Sequence, residues 1–244
     1  MLSFSCGLDD YPVVYPIPQS NITQTLNQSA VVRIPTDNDP NTTVFSHFVI
    51  FYRIYVSKQL VSSSTFDSPT LTAINPVLNS DYNAFFPYIG STTQVNTNMD
   101  SLFGGRKYKT LFLDGPDIDS VLSAAVLGTT LQFNFPDSAS GGQLPTMTIG
   151  SNVYTLWRSN RNGPSFTSPR PDRNFVNNAD LYNSQFIDPA FNADVENLSG
   201  ITDQDTHYTY AAMYIAAAGI DPTTYSFIYS TPALINIFRL PEPH

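Results

Sequence analysis

The chain has 244 residues, 41% of them hydrophobic, which is enough to build a substantial core. Its 11 Lys and Arg against 20 Asp and Glu leave a net charge of −9, which argues against nucleic acid or an anionic membrane surface as a default partner. A single cysteine excludes an internal disulfide framework and a multi-cysteine zinc site, and no run reaches the about 20 apolar residues that span a bilayer as a helix.

In chain order the first feature is Leu2-Ser3-Phe4-Ser5-Cys6-Gly7, with a small residue on each side of Cys6. It resembles the lipobox of bacterial lipoproteins, in the relaxed form of the spirochaetes, because Ser3 stands three before the cysteine and Leu2 one step further out. The resemblance implies that Cys6 is the lipid attachment site and the first residue of the mature chain. Acyl chains would then hold the protein to a membrane of the cell envelope, on the periplasmic side or at the outer membrane, and stable anchoring takes two chains or more. The basic and apolar start of such a signal is expected upstream of Met1. Gly7-Leu8-Asp9-Asp10-Tyr11-Pro12 reads as a polar tether, so residues 1–11 are assigned to signal remnant, lipobox and tether. The competing reading is an ordinary N-terminus in which Cys6 is a small hydrophobe.

The β-branched run Ala30-Val31-Val32-Arg33-Ile34, closed by Pro35 and a turn cluster, predicts a strand. A second strand is predicted over Phe48 to Val56, with Phe48, Ile50, Tyr52, Ile54 and Val56 on one face and Val49, Phe51, Arg53 and Tyr55 on the other. Residues 61–80, rich in Ser, Thr, Pro and Asn, read as a loop with at most one edge strand. A strand over Lys107 to Leu113 precedes an amphipathic helix over Asp117 to Leu127, capped by Asp117. Strands follow at Thr130–Phe135, Thr146–Ile149 and Val153–Trp157, with turns at Gly141-Gly142 and Gly150-Ser151-Asn152. Arg158 to Arg173 concentrates four arginines among Pro and Ser and reads as an exposed loop. Tyr208 to Gly219 has the alanine content of a helix, yet Tyr208, Tyr210 and Tyr214 repeat with a period of two, which favours a strand. Another apolar strand runs from Tyr225 to Phe238, broken at Ser230-Thr231-Pro232.

These segments resemble a fibronectin type III domain. Phe48, Ile50, Tyr52 and Arg53 take the places of its third strand, Thr206, Tyr208 and Gly219 those of its sixth, and Ser230 and Pro232 stand where its last strand begins. The resemblance implies a mainly β, fibronectin type III or immunoglobulin-like sandwich, with Tyr208 as the structural tyrosine corner whose hydroxyl bonds back to upstream backbone. The tryptophan usual on the second strand is absent from Ser29 to Pro35. The span between the third-strand and sixth-strand matches far exceeds a loop. The expected organisation is therefore a sandwich of residues 12–60 plus 190–240, interrupted at 61–189 by a β-rich subdomain carrying one short helix.

Residues able to carry chemistry are few. His47, His207 and His244 show no metal-ligand spacing, and no nucleophile elbow, phosphate loop or dinucleotide fingerprint is present; Gly104-Gly105-Arg106-Lys107 reads as a turn. The acidic groups Asp37/Asp39, Asp114/Asp117/Asp119 and Asp203/Asp205 complete no calcium loop and read as solvated carboxylates. No catalytic residue, metal or cofactor is assigned. Trp157 with Arg158, Tyr154 and Phe166 forms a set that could stack on a sugar ring or a partner surface, against the commoner reading of Trp157 as packing. The expected function is a non-enzymatic cell-envelope lipoprotein, a structural or protein-binding module held to the membrane by N-terminal acyl chains. The alternative is a carbohydrate-binding or carbohydrate-processing envelope protein.

Overall fold

The longest strands explain the rest of the architecture. Because successive side chains point to opposite faces, a strand whose odd and even positions are both apolar must be covered on both sides. Strand β3 (Phe45–Ser57) and strand β10 (Tyr208–Ile220) are such strands, and they pair antiparallel along nearly their whole length, from Tyr208 opposite Ser57 to Gly219 opposite Phe45. A computed structural model describes residues 14–25, 28–37, 44–62, 65–85, 108–136, 143–158, 175, 194–196 and 207–241.

Around this pair stand the other strands, β1 (Ile22–Thr25), β2 (Ser29–Arg33), β4 (Lys109–Thr110), β5 (Phe112–Leu113), β6 (Thr130–Asn134), β7 (Thr146–Ile149), β8 (Asn152–Trp157), β9 (Val195–Glu196), β11 (Phe227–Tyr229) and β12 (Ala233–Arg239). One sheet runs β1-β2-β6-β7-β8-β5, antiparallel throughout. In the other, β11 and β12 share the edge of β10 away from β3, β4 and β9 lie along β3, and only the β3–β9 pair is parallel. The protein is thus mainly β, as the alternation predicts, with two largely antiparallel sheets.

Between the sheets, Phe48, Ile50, Tyr52, Ile54 and Val56 of β3 pack in one core with Val32, Leu131, Phe133, Met147 and Leu156. These are the even-numbered positions expected on one face. The odd positions Phe51 and Tyr55 join Tyr210 and Tyr214 in a second core, which α1 (Ser68–Ile74) and α2 (Pro76–Phe85) cover through Leu71, Ile74 and Leu78. The alternation of tyrosines on β10 therefore decided its form correctly against the helix propensity of its alanines.

Two expectations are corrected. Residues 61–80, expected as a loop, hold the starts of two helices: Asp67 caps α1 by accepting from Thr70 N at 2.9 Å, and Pro76 opens α2. The Ser, Thr, Pro and Asn of that segment are start signals, and Asn75 ties the junction down by donating to Val56 O and accepting from Val77 N. The helix expected over Asp117 to Leu127 stops after one turn, α3 (Ile118–Val121), followed by a 3-10 turn at Ala124–Val126. The interruption has a cause in β3, since Leu122 O accepts from Phe48 N at 2.9 Å and Ser123 bridges His47. The strands described within 61–189 join the sheet and the core of the flanking spans. Strands β6, β7, β8 and β5 continue the sheet of β1 and β2, and residues of both spans share one core.

The strand expected over Lys107 to Leu113 divides its loyalty. Its first half, β4, pairs with β3; its second half, β5, pairs with β8 of the opposite sheet, and Leu111 between them donates to Ile50 O.

At the far end of β10, Gly219 is held against the start of the described chain. A Cβ there would lie 2.5 Å from Val44 O and 2.7 Å from Val14 Cγ1. Gly219→Ala is therefore expected to lower stability by about 1–3 kcal/mol, as overpacking against immovable backbone does. Urea unfolding of the variant beside the parent checks this, and an unchanged midpoint would show that Val14 does not close on Gly219.

Candidate functional site

The residues singled out on β8 do not converge. Tyr154 packs toward the core between the sheets, as does Leu156, and Arg158 continues on that side; the alternation places Trp157 on the other face, directly opposite Phe112 of β5. Phe166 lies outside the described residues. No single ring or cation from the inner face can therefore share a ligand with Trp157 across the sheet. Arg158, expected at the head of an exposed loop, is instead fully buried.

Its burial has a partner that the sequence hides. Arg158 donates from Nε and Nη2 to the two oxygens of Asp194, at 2.8 and 2.7 Å, and Tyr52 donates its hydroxyl to the same carboxylate at 2.8 Å. Burial alone would raise the Asp194 pKa, but the charge of Arg158 and the hydrogen bonds from Arg158 and Tyr52 outweigh it and hold the carboxyl below its ordinary value. Burial works against the guanidinium too, and the charge of Asp194 reverses it, so Arg158 stays charged. Phe175 closes the site with its ring edge-on to Tyr52 at 5.1 Å.

A second cluster lies one residue further along β3, on the opposite face. Arg53 donates to Asp81 of α2 at 2.7 Å and pairs with Glu196 of β9. Tyr55 donates to Asp81 at 2.8 Å and meets the Tyr108 hydroxyl at 2.8 Å. Burial, reinforced by the Asp81 charge, pushes Tyr55 well above the usual tyrosine range, and burial does the same for Tyr108 and Tyr214. All three remain neutral. Phe51 stacks on Tyr214 at 5.7 Å and meets Tyr108 edge-on.

Tyr208 is the residue expected to form the tyrosine corner. Tyr208 sits with its ring under Arg239, 5.4 Å from the guanidinium carbon, while Tyr210 is the residue that grips backbone: its hydroxyl accepts from Val61 N at 2.9 Å and donates to Gln59 O at 3.2 Å. Among the other candidates, Asp117 caps α3, and Asp119 lies 3.7 Å from His47 Nε2. Asp39, Asp203, Asp205, His244 and Cys6 lie outside the described residues. Among the described residues, no three His, Cys, Asp or Glu are grouped to hold a metal ion, and no helix is long and apolar enough to cross a membrane.

The connection from β10 to β11 is exposed and held by hydrogen bonds of its own. Asp221 accepts from Thr223 N at 2.7 Å and from the Thr224 hydroxyl at 2.8 Å, its own N–H donates to Ser226 O, and Tyr225 N donates back to Asp221 O. These bonds hold the Asp221 carboxyl below its ordinary value. They also hold Tyr225 at a φ of +56°, the only positive φ of a non-glycine among the described residues. The left-handed region costs a bulky residue on the order of 1–2 kcal/mol. The result is a ring 83% exposed, beside Phe227 at 58% and Ile220 at 39%. The run Asp221-Pro222-Thr223-Thr224 that locks the loop is its signal in the sequence.

No family model, no curated protein and no solved structure matches this chain. Its properties therefore rest on its own residues.

The Arg158–Asp194 pair gives a direct test. Asp194→Ala leaves a buried guanidinium uncompensated and is expected to cost about 3–5 kcal/mol, whereas Arg158→Met combined with Asp194→Ala should recover much of the loss. The folded carboxyl has the lower pKa, so its contribution is complete above the ordinary Asp range and drains away as the pH falls through the depressed value. Asp194→Asn should accordingly flatten the acid limb of a plot of unfolding free energy against pH.

Proposed function

We propose that this chain is a non-enzymatic cell-envelope lipoprotein, a structural or protein-binding module attached through Cys6. The observation that carries the reading is the place of Val14, eight positions after Cys6. Val14 packs against Gly219 at one end of β10, so a lipid on Cys6 would fasten that end and leave the opposite end of the long strands, with Tyr210, Gln59 and Val61, turned away from the membrane. The buried charges support a scaffold role, because Arg53, Asp81, Arg158 and Asp194 direct their donors and acceptors at one another across layers.

The finer fold proposed is a fibronectin type III-like sandwich. Its support is the pairing order: β1-β2-β6 on one sheet and β3-β10-β12 on the other follow the order of first, second and fifth strands against third, sixth and seventh. Strands β7, β8 and β5 would then be an extension of the first sheet, and α1 and α2 a cover for the second.

Expressed from its own gene in cells fed labelled palmitate, the protein is expected to carry the label and to sediment with membranes. Cys6→Ser should lose both. An unlabelled parent rejects the anchor. A specific glycan-array signal that disappears in Trp157→Ala, with an unchanged melting temperature, would replace this reading with the carbohydrate alternative.

A further inference from the structure

Six large hydrophobic residues are well exposed among those described, and four of them gather at one end. Tyr225, Phe227 and Ile220 belong to the β10–β11 connection, and Tyr15, 47% exposed, follows Val14, which touches Gly219. Neighbouring exposed apolar groups of this kind mark a surface that meets something other than water. The loop itself carries little charge, while His47, whose ring lies 6.4 Å from that of Phe227, has the Asp119 carboxylate 3.7 Å from its Nε2. Residues 220–227 contain one side chain charged at neutral pH, Asp221, and both of its carboxylate oxygens already accept hydrogen bonds from Thr223 and Thr224.

Resting on the proposed lipid attachment at Cys6, we infer that this end of the sandwich lies on the bilayer, with Tyr225, Phe227, Ile220 and Tyr15 seated at the level of the lipid headgroups. The chain length imposes the geometry. Only residues 7–13 separate Cys6 from Val14, and fully extended they reach about 25 Å. The anchor therefore cannot carry the exposed rings far from the surface it is inserted in. Tyrosine suits that depth, with an apolar ring and a hydroxyl that stays wet. The net charge of −9 and the satisfied Asp221 favour zwitterionic rather than anionic lipid. The locked loop matters here because a ring already held outward loses little freedom on insertion. Acyl chains and aromatic tip are then two signals for the same surface, and together they fix an orientation that a flexible tether alone would leave free.

The only cysteine allows the anchor to be supplied chemically. The full chain, coupled through Cys6 to maleimide lipid in phosphatidylcholine vesicles, is compared in two reporters built on Trp157→Phe. One carries Tyr225→Trp; the other carries Leu60→Trp, at an exposed site beyond the opposite end of β3, a strand about 40 Å long. The Tyr225→Trp emission should shift to the blue on coupling and lose intensity when the lipid is dibrominated, while Leu60→Trp should do neither. Phe227→Trp provides a second reporter if Tyr225→Trp perturbs the loop, and it should behave like the first. Tip reporters that keep the emission of the uncoupled protein, or quenching that is equal at both ends, overturn the inference. So does a blue shift that appears without vesicles and grows with protein concentration, which would assign the tip to a second copy of the chain. Because the coupling bypasses acylation in the cell, this result is independent of the palmitate experiment: failure there removes the natural anchor, and failure here removes the seated tip.

Discussion

Strand β3 is covered on both faces, and a charged residue lies in the middle of it. That combination governs much of the structure. A guanidinium at position 53 cannot be buried without carboxylates close by, and they come from two separate elements, Asp81 on α2 and Glu196 on β9. One position earlier, Tyr52 points the other way and shares Asp194 with Arg158, at the end of β8. Two consecutive residues of one strand thus fasten the helical cover on one side and the second sheet on the other. Asp194 and Glu196 flank Val195, so β9 and the residue just before it contribute a carboxylate to each cluster.

Where the chain's own periodicity set the structure, the sequence could be read. The alternation of β3 was visible over nine residues, and it sorted its side chains correctly between two cores. The tyrosines of β10 were decisive for the same reason: a two-residue repeat is a statement about backbone form, while alanine propensity is only a weak preference that packing overrides. Strand β7 lies where its short β-branched run placed it. What could not be read depends on partners far along the chain. Arg158 looks like the first residue of a basic loop until Asp194, 36 positions later, is brought against it. The helices α1 and α2 were missed because Ser, Thr, Pro and Asn serve equally in loops and at helix starts; only the tyrosine-lined face awaiting Leu71, Ile74 and Leu78 decides between the two.

The candidate surface was legible in part. Trp157 drew attention as the only tryptophan, but alternation along β8 separates it from the neighbours that would have made it a binding set. The ordered, exposed aromatic end formed by β10 and β11 arises instead from residues whose hydropathy resembles that of any strand. What distinguishes them is the place where pairing stops: β12 takes over the edge of β10 only from Ile215 toward Tyr210, and β11 covers Ala218 to Ile220. A bulge in β12 accompanies this division, and Asn236 beside it donates to Thr25 O and Ser29 O, which joins the edge to the β1–β2 turn.

The segment Lys109 to Leu113 has a consequence for how the molecule comes apart. A chain that is half ladder in one sheet and half in the other makes each sheet's opening a condition of the other's, since parting the layers at Leu111 severs hydrogen bonds of both at once. Many sandwiches can loosen one layer while the second persists. Here the layers share a hinge-less seam, so amide protons deep in β3 and those in β8 should exchange with solvent through the same rare event, and the two sheets behave as one cooperative unit.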